Sequence, residues 1–189
     1  MEDNLKLWHR VEKTNPKFTK NANVRGNKIT SIAPQYQIMN VTAEFGIYGV
    51  TWGFNKLDFD FSLADSFGLV VLNATFFFPN GSFEIKNSIN LWVDNAKTKI
   101  DSDFAKKIET DTLTKAISKL GFNADIFMGK FDDVKYVDEI TKEFNQSEKQ
   151  NATKENIDKA FEVGATMEKI KSKYNVSEEL VEYFNSKTK

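Results

Sequence analysis

The stretch 68-GLVVLNATFFFPNGSFEIKNSINLWV-93 decides the fold. Its first half, Gly68 to Phe78, is a largely apolar run that ends at a Pro79-Asn80-Gly81 turn signal, which predicts a central strand closed by a hairpin. The return run alternates. Phe83, Ile85, Ile89, Leu91 and Val93 take one side, and Glu84, Lys86, Ser88 and Asn90 take the other. That is the pattern of an antiparallel sheet with one solvated face. Trp92 falls on the polar phase, which predicts an exposed ring or one at an interface.

Upstream, Tyr48, Val50, Trp52 and Phe54 alternate with Gly49, Thr51 and Gly53, and beyond Lys56 the apolar phase moves to Leu57, Phe59 and Phe61. A slip of one residue reverses the faces of a strand, so a bulge or turn is expected near Asn55 and Lys56. Downstream, Phe104, Ile108, Leu113, Ala116, Ile117 and Leu120 form a helical stripe, with Ser102 placed to cap it and Gly121 to stop it. The order predicts an α+β fold in which a three-stranded antiparallel meander is packed by a long helix. Other helices are expected at 5–13, at 34–45 between Pro34 and Gly46, at about 153–172 and at 177–186. Thr14 to Thr30, polar and carrying Pro16 and Gly26, reads as an extended loop. The organisation expected is a core at 1–137 and a charged helical C-terminal tail at 138–189.

Charge is unevenly spread. The chain of 189 residues has a net charge of −1, yet Leu5 to Ile29 holds seven basic residues against one acid, a net +6. From Asp132 onward thirteen acids face ten lysines. A basic front and an acidic rear suit an anionic ligand held at one end. Seventeen phenylalanines exceed what one core of this size requires, so some are expected at surfaces that meet other subunits or bases. No apolar run reaches membrane-spanning or signal length, and with no cysteine present the expected setting is cytoplasmic.

Bond chemistry finds few candidates. His9, the single histidine, sits in the basic arm without an acid placed to activate it, and Gly46, Gly49 and Gly53 open no phosphate-binding helix. Neither a nucleophilic enzyme nor ATP use is expected. Asp111, Asp125, Asp132 and Asp133 are the acids from which a nuclease metal site would be built, but they lack a recognisable ligand spacing. Hydrogen bonding to loop amides is the plainer role for Asp125. Trp8, Trp52, Trp92, Tyr36, Tyr48 and Phe77 are the aromatics to weigh for base stacking, each against ordinary core packing.

The segment 110-TDTLTKAISKLGFNADIFMGKFDD-133 resembles the helix-and-loop signature of phage single-strand annealing proteins of the Sak and Erf kinds, within the Rad-fifty-two-like superfamily. Three further pieces are similar in order and spacing: Trp8-His9-Arg10-Val11-Glu12-Lys13-Thr14, Ile32-Ala33-Pro34, and Glu44 to Trp52. The resemblance covers roughly residues 5 to 137. It implies a β-β-β-α core that assembles as a homo-oligomer, ring or filament, and holds single-stranded DNA in a positively charged groove. It also implies annealing of complementary strands in phage recombination without ATP or any other cofactor, in the cytoplasm of a bacterial host.

Under the resemblance Lys115 takes the position where the family carries a basic residue and becomes the first candidate for phosphate contact, with Lys119 beside it. Thr114 and Ser118, often basic in Rad-type relatives, depart from that pattern. Lys13, Lys17, Lys20, Arg25 and Lys28 in the arm are expected to supply the missing charge, and Trp92 a stacking surface. Two rival readings make different demands. A non-enzymatic adaptor of a phage replication complex would act through its acidic helical tail on a helicase or single-strand-binding protein. A nuclease would need the aspartates to converge.

Overall fold

The computed structural model describes residues 4–187 apart from Arg25 and Asn95. The chain divides into two compact units, Met1–Val134 and Lys135–Lys189, three residues before the boundary expected from composition.

In the first unit the chain runs through α1 (Lys6–Val11), a 3₁₀ turn at Pro16–Phe18, β1 (Thr19–Val24), β2 (Asn27–Ile32) and α2 (Pro34–Phe45). It continues through β3 (Gly53–Asp60), α3 (Ala64–Phe67), β4 (Leu69–Phe78), β5 (Gly81–Asn90), α4 (Phe104–Ser118) and α5 (Ala124–Phe127). The class is α+β. One antiparallel sheet has the order β3-β4-β5 and a second consists of β1 and β2 alone.

Strands β4 and β5 pair without interruption from Leu69↔Asn90 to Phe78↔Gly81, so Pro79-Asn80 forms the tight turn that the sequence signals. Between β3 and β4 the register breaks: Phe54 pairs with Phe76 and Lys56 with Thr75. Asn55 is the extra residue, which is why the apolar phase of β3 changes face there. The strand begins only at Gly53. Residues 48–52, whose alternation predicts extended chain, instead form a turn, because Gly49 at φ +80° and Gly53 at φ +143° reverse the backbone.

The buried face of the sheet presents Leu72, Ala74, Phe76 and Ile85 to Val41 of α2 and to Ile108, Leu113, Ala116 and Ile117 of α4, with Trp52 and Phe122 closing the core. Full burial of side chains such as Phe76, Leu72 and Ile117 stabilises the unit by about 2 kcal/mol each. On the other face, rows across the register read Lys56-Thr75-Glu84 and Asp58-Asn73-Lys86, opposite charges on the two outer strands. That is the solvated side expected from the β5 pattern. Asn87 shares the buried phase of β5, and there its amide donates to Asp111 and to Thr112 Oγ1 on α4.

Three further expectations need correction. The polar stretch after Thr14 is a hairpin rather than a loop, with all six residues of β1 paired to β2. Its strands lack the apolar alternation that marks a half-buried sheet. Ser102 does not cap α4: the N-cap position is Asp103, no side chain caps the helix, and Asp101 just ahead of it accepts from the Asp103 amide at 3.1 Å and from Lys107 Nζ at 2.6 Å. The helix expected over 153–172 is two helices, broken where Gly164 takes φ +66°.

The second unit contains α6 (Val134–Glu148), α7 (Lys154–Glu162), α8 (Met167–Lys173) and α9 (Glu178–Lys187). Ile157, Ile170, Leu180 and Phe184 form its own small core, with Tyr174 and Tyr183 at the margin. Thr153 starts α7 with a reciprocal capping box to Asn156. Among the described residues no helix is long and apolar enough to cross a membrane.

Candidate functional site

A groove of about 550 Å³ lies in the first unit, between the β1–β2 hairpin and α4. Ile29 and Ile32 of β2 line one side, Lys106, Lys107 and Thr110 of α4 the other, and Phe127 of α5 stands at the margin. Phe127 is 51% exposed and Ile29 is also exposed, so the groove offers apolar surface that solvent reaches.

The position of α5, and with it Phe127, follows from a buried polar knot. Asp125 is fully buried and accepts from the Thr14 amide at 2.8 Å, from the Thr14 hydroxyl at 2.6 Å and from the Ile126 amide at 2.9 Å. Asn123, also buried, donates from Nδ2 to Thr14 Oγ1 at 3.0 Å. The backbone adds two bonds, from Asn123 N–H to Val11 O at 2.9 Å and from Asp125 N–H to Glu12 O at 3.2 Å. A carboxylate taken out of water must be matched by donors in this way. The segment after α4 is therefore locked to the end of α1. The hairpin is held nearby by Phe18, whose ring stacks on Tyr36 of α2 at 4.1 Å between centroids.

The lysines of α4 and its C-terminal end, of which only Lys106 and Lys107 line the groove, differ in how much charge they leave available. Lys107 binds Asp101, and that hydrogen bond holds the Asp101 carboxyl below its ordinary range. Lys106, exposed one residue earlier, has no acidic partner among the described residues. Lys115, the first candidate from sequence, is committed: its ammonium lies 2.7 Å from Asp111 and 3.0 Å from Asn87 Oδ1. Its side chain stays half exposed, but a carboxylate already answers its charge. Lys119 sits 5.6 Å over the Phe83 ring in a cation–π contact.

Of the arm residues, Lys13 and Lys17 are exposed ahead of the hairpin and Lys20 and Lys28 are exposed on it. Lys20 pairs with Ser31 and Lys28 with Asn23, which places these two lysines on opposite faces. Arg25 lies outside the described residues. Trp92 is half buried rather than open: a Cβ on Gly68 would come within 2.7 Å of its ring. Its indole N–H is buried without an acceptor among the described residues. Trp52 is core, donating to Gly46 O at 2.9 Å, and Trp8 packs on Gly121.

The four aspartates do not converge. Asp111 faces Lys115, Asp125 is spent on Thr14, and among the described residues no three His, Asp or Glu side chains are grouped to hold a metal ion. His9 lies 3.5 Å from Glu12 on the exposed side of α1.

Sequence reasoning missed the groove and the presence of Lys106 and Phe127 in its lining. The available signal was the apolar pair Phe127-Met128, both exposed, directly after the Asp125 knot.

Apolar side chains are also exposed at both ends of the three-stranded sheet. Ile47 and Val50 (70% exposed) precede β3 at one end. Phe61, Phe67 (67% exposed), Val93 and Ile100 cluster by sequence at the other, where β3 and β5 finish and β4 begins. Ten residues of β4 separate these ends by about 30 Å. No protein-family model matches the chain, and no curated protein matches it.

Proposed function

We propose that the chain binds single-stranded DNA along the hairpin–helix groove and promotes ATP-independent annealing of complementary strands, as a recombination protein of the phage annealing kind. The observation that carries this reading is the groove itself, an open apolar channel with an exposed aromatic ring at its margin and, on its helical wall, two lysines against the single acid Asp111. Single strands are held without sequence preference by this combination of base-stacking surface and phosphate-binding cations.

In this reading Phe127 and Ile29 receive base faces, and Lys106 on α4 with Lys20 or Lys28 on the hairpin receives phosphates. Phosphate contacts leave base edges free to test an incoming strand, and duplex formation supplies the driving force. Strands β3, β4 and β5 with α4 are then the β-β-β-α annealing core, which agrees with the resemblance of Thr110–Asp133 to that family. The two apolar ends of the sheet join successive copies head to tail. A heterologous contact of this type closes into a ring or continues as a filament.

The test is binding of a fluorescent oligothymidylate at several salt concentrations, followed by annealing of mixed-sequence complements without ATP. Salt-weakened binding and accelerated annealing are expected. Lys106→Ala should lower the slope of log affinity against log salt by about 0.7, one phosphate contact on a single strand, whereas Lys115→Ala should change it less. Absence of binding at low salt by folded protein would overturn the proposal.

A further inference from the structure

The second unit carries a cleft of its own. About 380 Å³ lies between α7 and α8, floored by Ala160, Ala165 and Ile170 and bordered by Val163, which is 80% exposed. Lys159, Lys169 and Lys173 bring three cations to it, Asn156 and Tyr174 complete the lining, and no acid belongs to it. This is unexpected in a unit whose acids and lysines nearly balance.

Helical spacing explains the sorting. Asn156, Lys159, Ala160 and Val163 recur at three- and four-residue intervals and share one side of α7, and Lys169 and Lys173 share one side of α8. Asp158 is on a different side of α7, where it meets Lys187 and accepts from the Tyr183 hydroxyl of α9 at 3.0 Å. Lys154 likewise faces Glu179 at 4.0 Å. The lysines near α9 are thus matched with acids. Lys159, Lys169 and Lys173 have no acidic partner among the described residues.

We propose that this cleft binds an acidic peptide segment of a partner protein, with one apolar side chain seated among Ala160, Val163 and Ile170 and flanking carboxylates on Lys159, Lys169 and Lys173. The charge complementarity selects an anion, and the floor selects a peptide. Its lining is largely aliphatic, and the one aromatic ring in it, Tyr174, is half-buried against the core of the unit with Lys173 Nζ 5.6 Å from its centroid, a poor platform for a base. The rival adaptor reading has the tail engage partners through its acids; in this proposal its lysines do so. The inference is independent of the groove in the first unit.

The probe is a fluorescein-labelled peptide of six acidic residues around one phenylalanine, titrated into the full chain by fluorescence anisotropy. Binding is expected to weaken with salt. Lys159→Glu with Lys169→Glu should weaken it at least about tenfold, as reversal of two contact charges does. Val163→Asp should do the same, and so should alanine in place of the peptide's phenylalanine. All three positions in the chain are exposed, so circular dichroism should show the variants folded. No binding by the unsubstituted chain would overturn the proposal, as would binding indifferent to both sets of substitutions. Loss of oligothymidylate binding with the peptide unaffected would overturn it in favour of a nucleic-acid site.

Discussion

Replacing Gly121 with alanine loads two separable costs onto one position. Gly121 holds φ +94°, a conformation that costs a residue with a side chain about 1–2 kcal/mol. The added methyl would also lie 2.7 Å from Trp8 Cε3 and 3.1 Å from Trp8 Cα. A ring can swing aside, but Cα belongs to α1, and the end of α1 is tied to Asn123 and Asp125 by backbone hydrogen bonds. The helix must shift, an overpacking cost of about 1–3 kcal/mol. The expected total is about 2–5 kcal/mol. Gly49→Ala isolates the first cost, because Gly49 sits in the same unit at φ +80° with nothing within 4 Å of the new methyl. Urea denaturation of both variants, followed by circular dichroism, should place Gly121→Ala below Gly49→Ala with equal denaturant dependence. Equal midpoints for the two variants would refute the reasoning, showing that Trp8 and α1 yield freely and that the knot around Asp125 does not anchor them.

The head-to-tail assembly predicts that Val50→Asp and Phe67→Asp, at opposite ends of the sheet, each reduce the protein to monomers by light scattering. Mixing the two should restore dimers and nothing larger, and unchanged particle size in either variant would exclude those ends as the interface. The Asp158–Lys187 pair predicts a stability plateau bounded on both sides. Its hydrogen bond lowers the carboxyl and raises the ammonium, so its contribution is present above the ordinary carboxylate range and lost as pH falls through the depressed Asp158 value. It is likewise present below the ordinary lysine range and lost as pH rises through the raised Lys187 value. Thermal midpoints of the chain and of Asp158→Asn should therefore differ near neutrality and converge in acid; parallel curves at all pH values would show that the pair contributes nothing.

The sheet was legible because its signals are local and mutually reinforcing. Pro79-Asn80-Gly81 announces the turn, β5 alternates, and the phase change points to a bulge or turn near Asn55 and Lys56, where the Asn55 bulge lies. The hairpin was not legible because TKNANV and NKITSI carry no apolar period; backbone pairing alone defines them. Gly164 likewise breaks an expected helix through φ, which periodicity does not register. The site divides the same way. Lys115 was singled out by the family resemblance, but its charge depends on Asp111 one turn back and on Asn87 of the facing strand β5, and Asn87 is distant in sequence. Asp125 was read correctly as a hydrogen-bonding acid, although its partner Thr14 stands 111 residues away. The groove has walls from three parts of the chain, so no single segment records it.

All three tryptophans, Trp8, Trp52 and Trp92, lie in the first unit, and the second has only tyrosines and phenylalanines beside its aliphatic core. Indole emission from this protein is consequently a private signal of Met1–Val134, with the fully enclosed Trp52 as its most sheltered source. Whether the two units melt together or in succession can be read from the unsubstituted chain, by comparing that emission with the loss of total helicity.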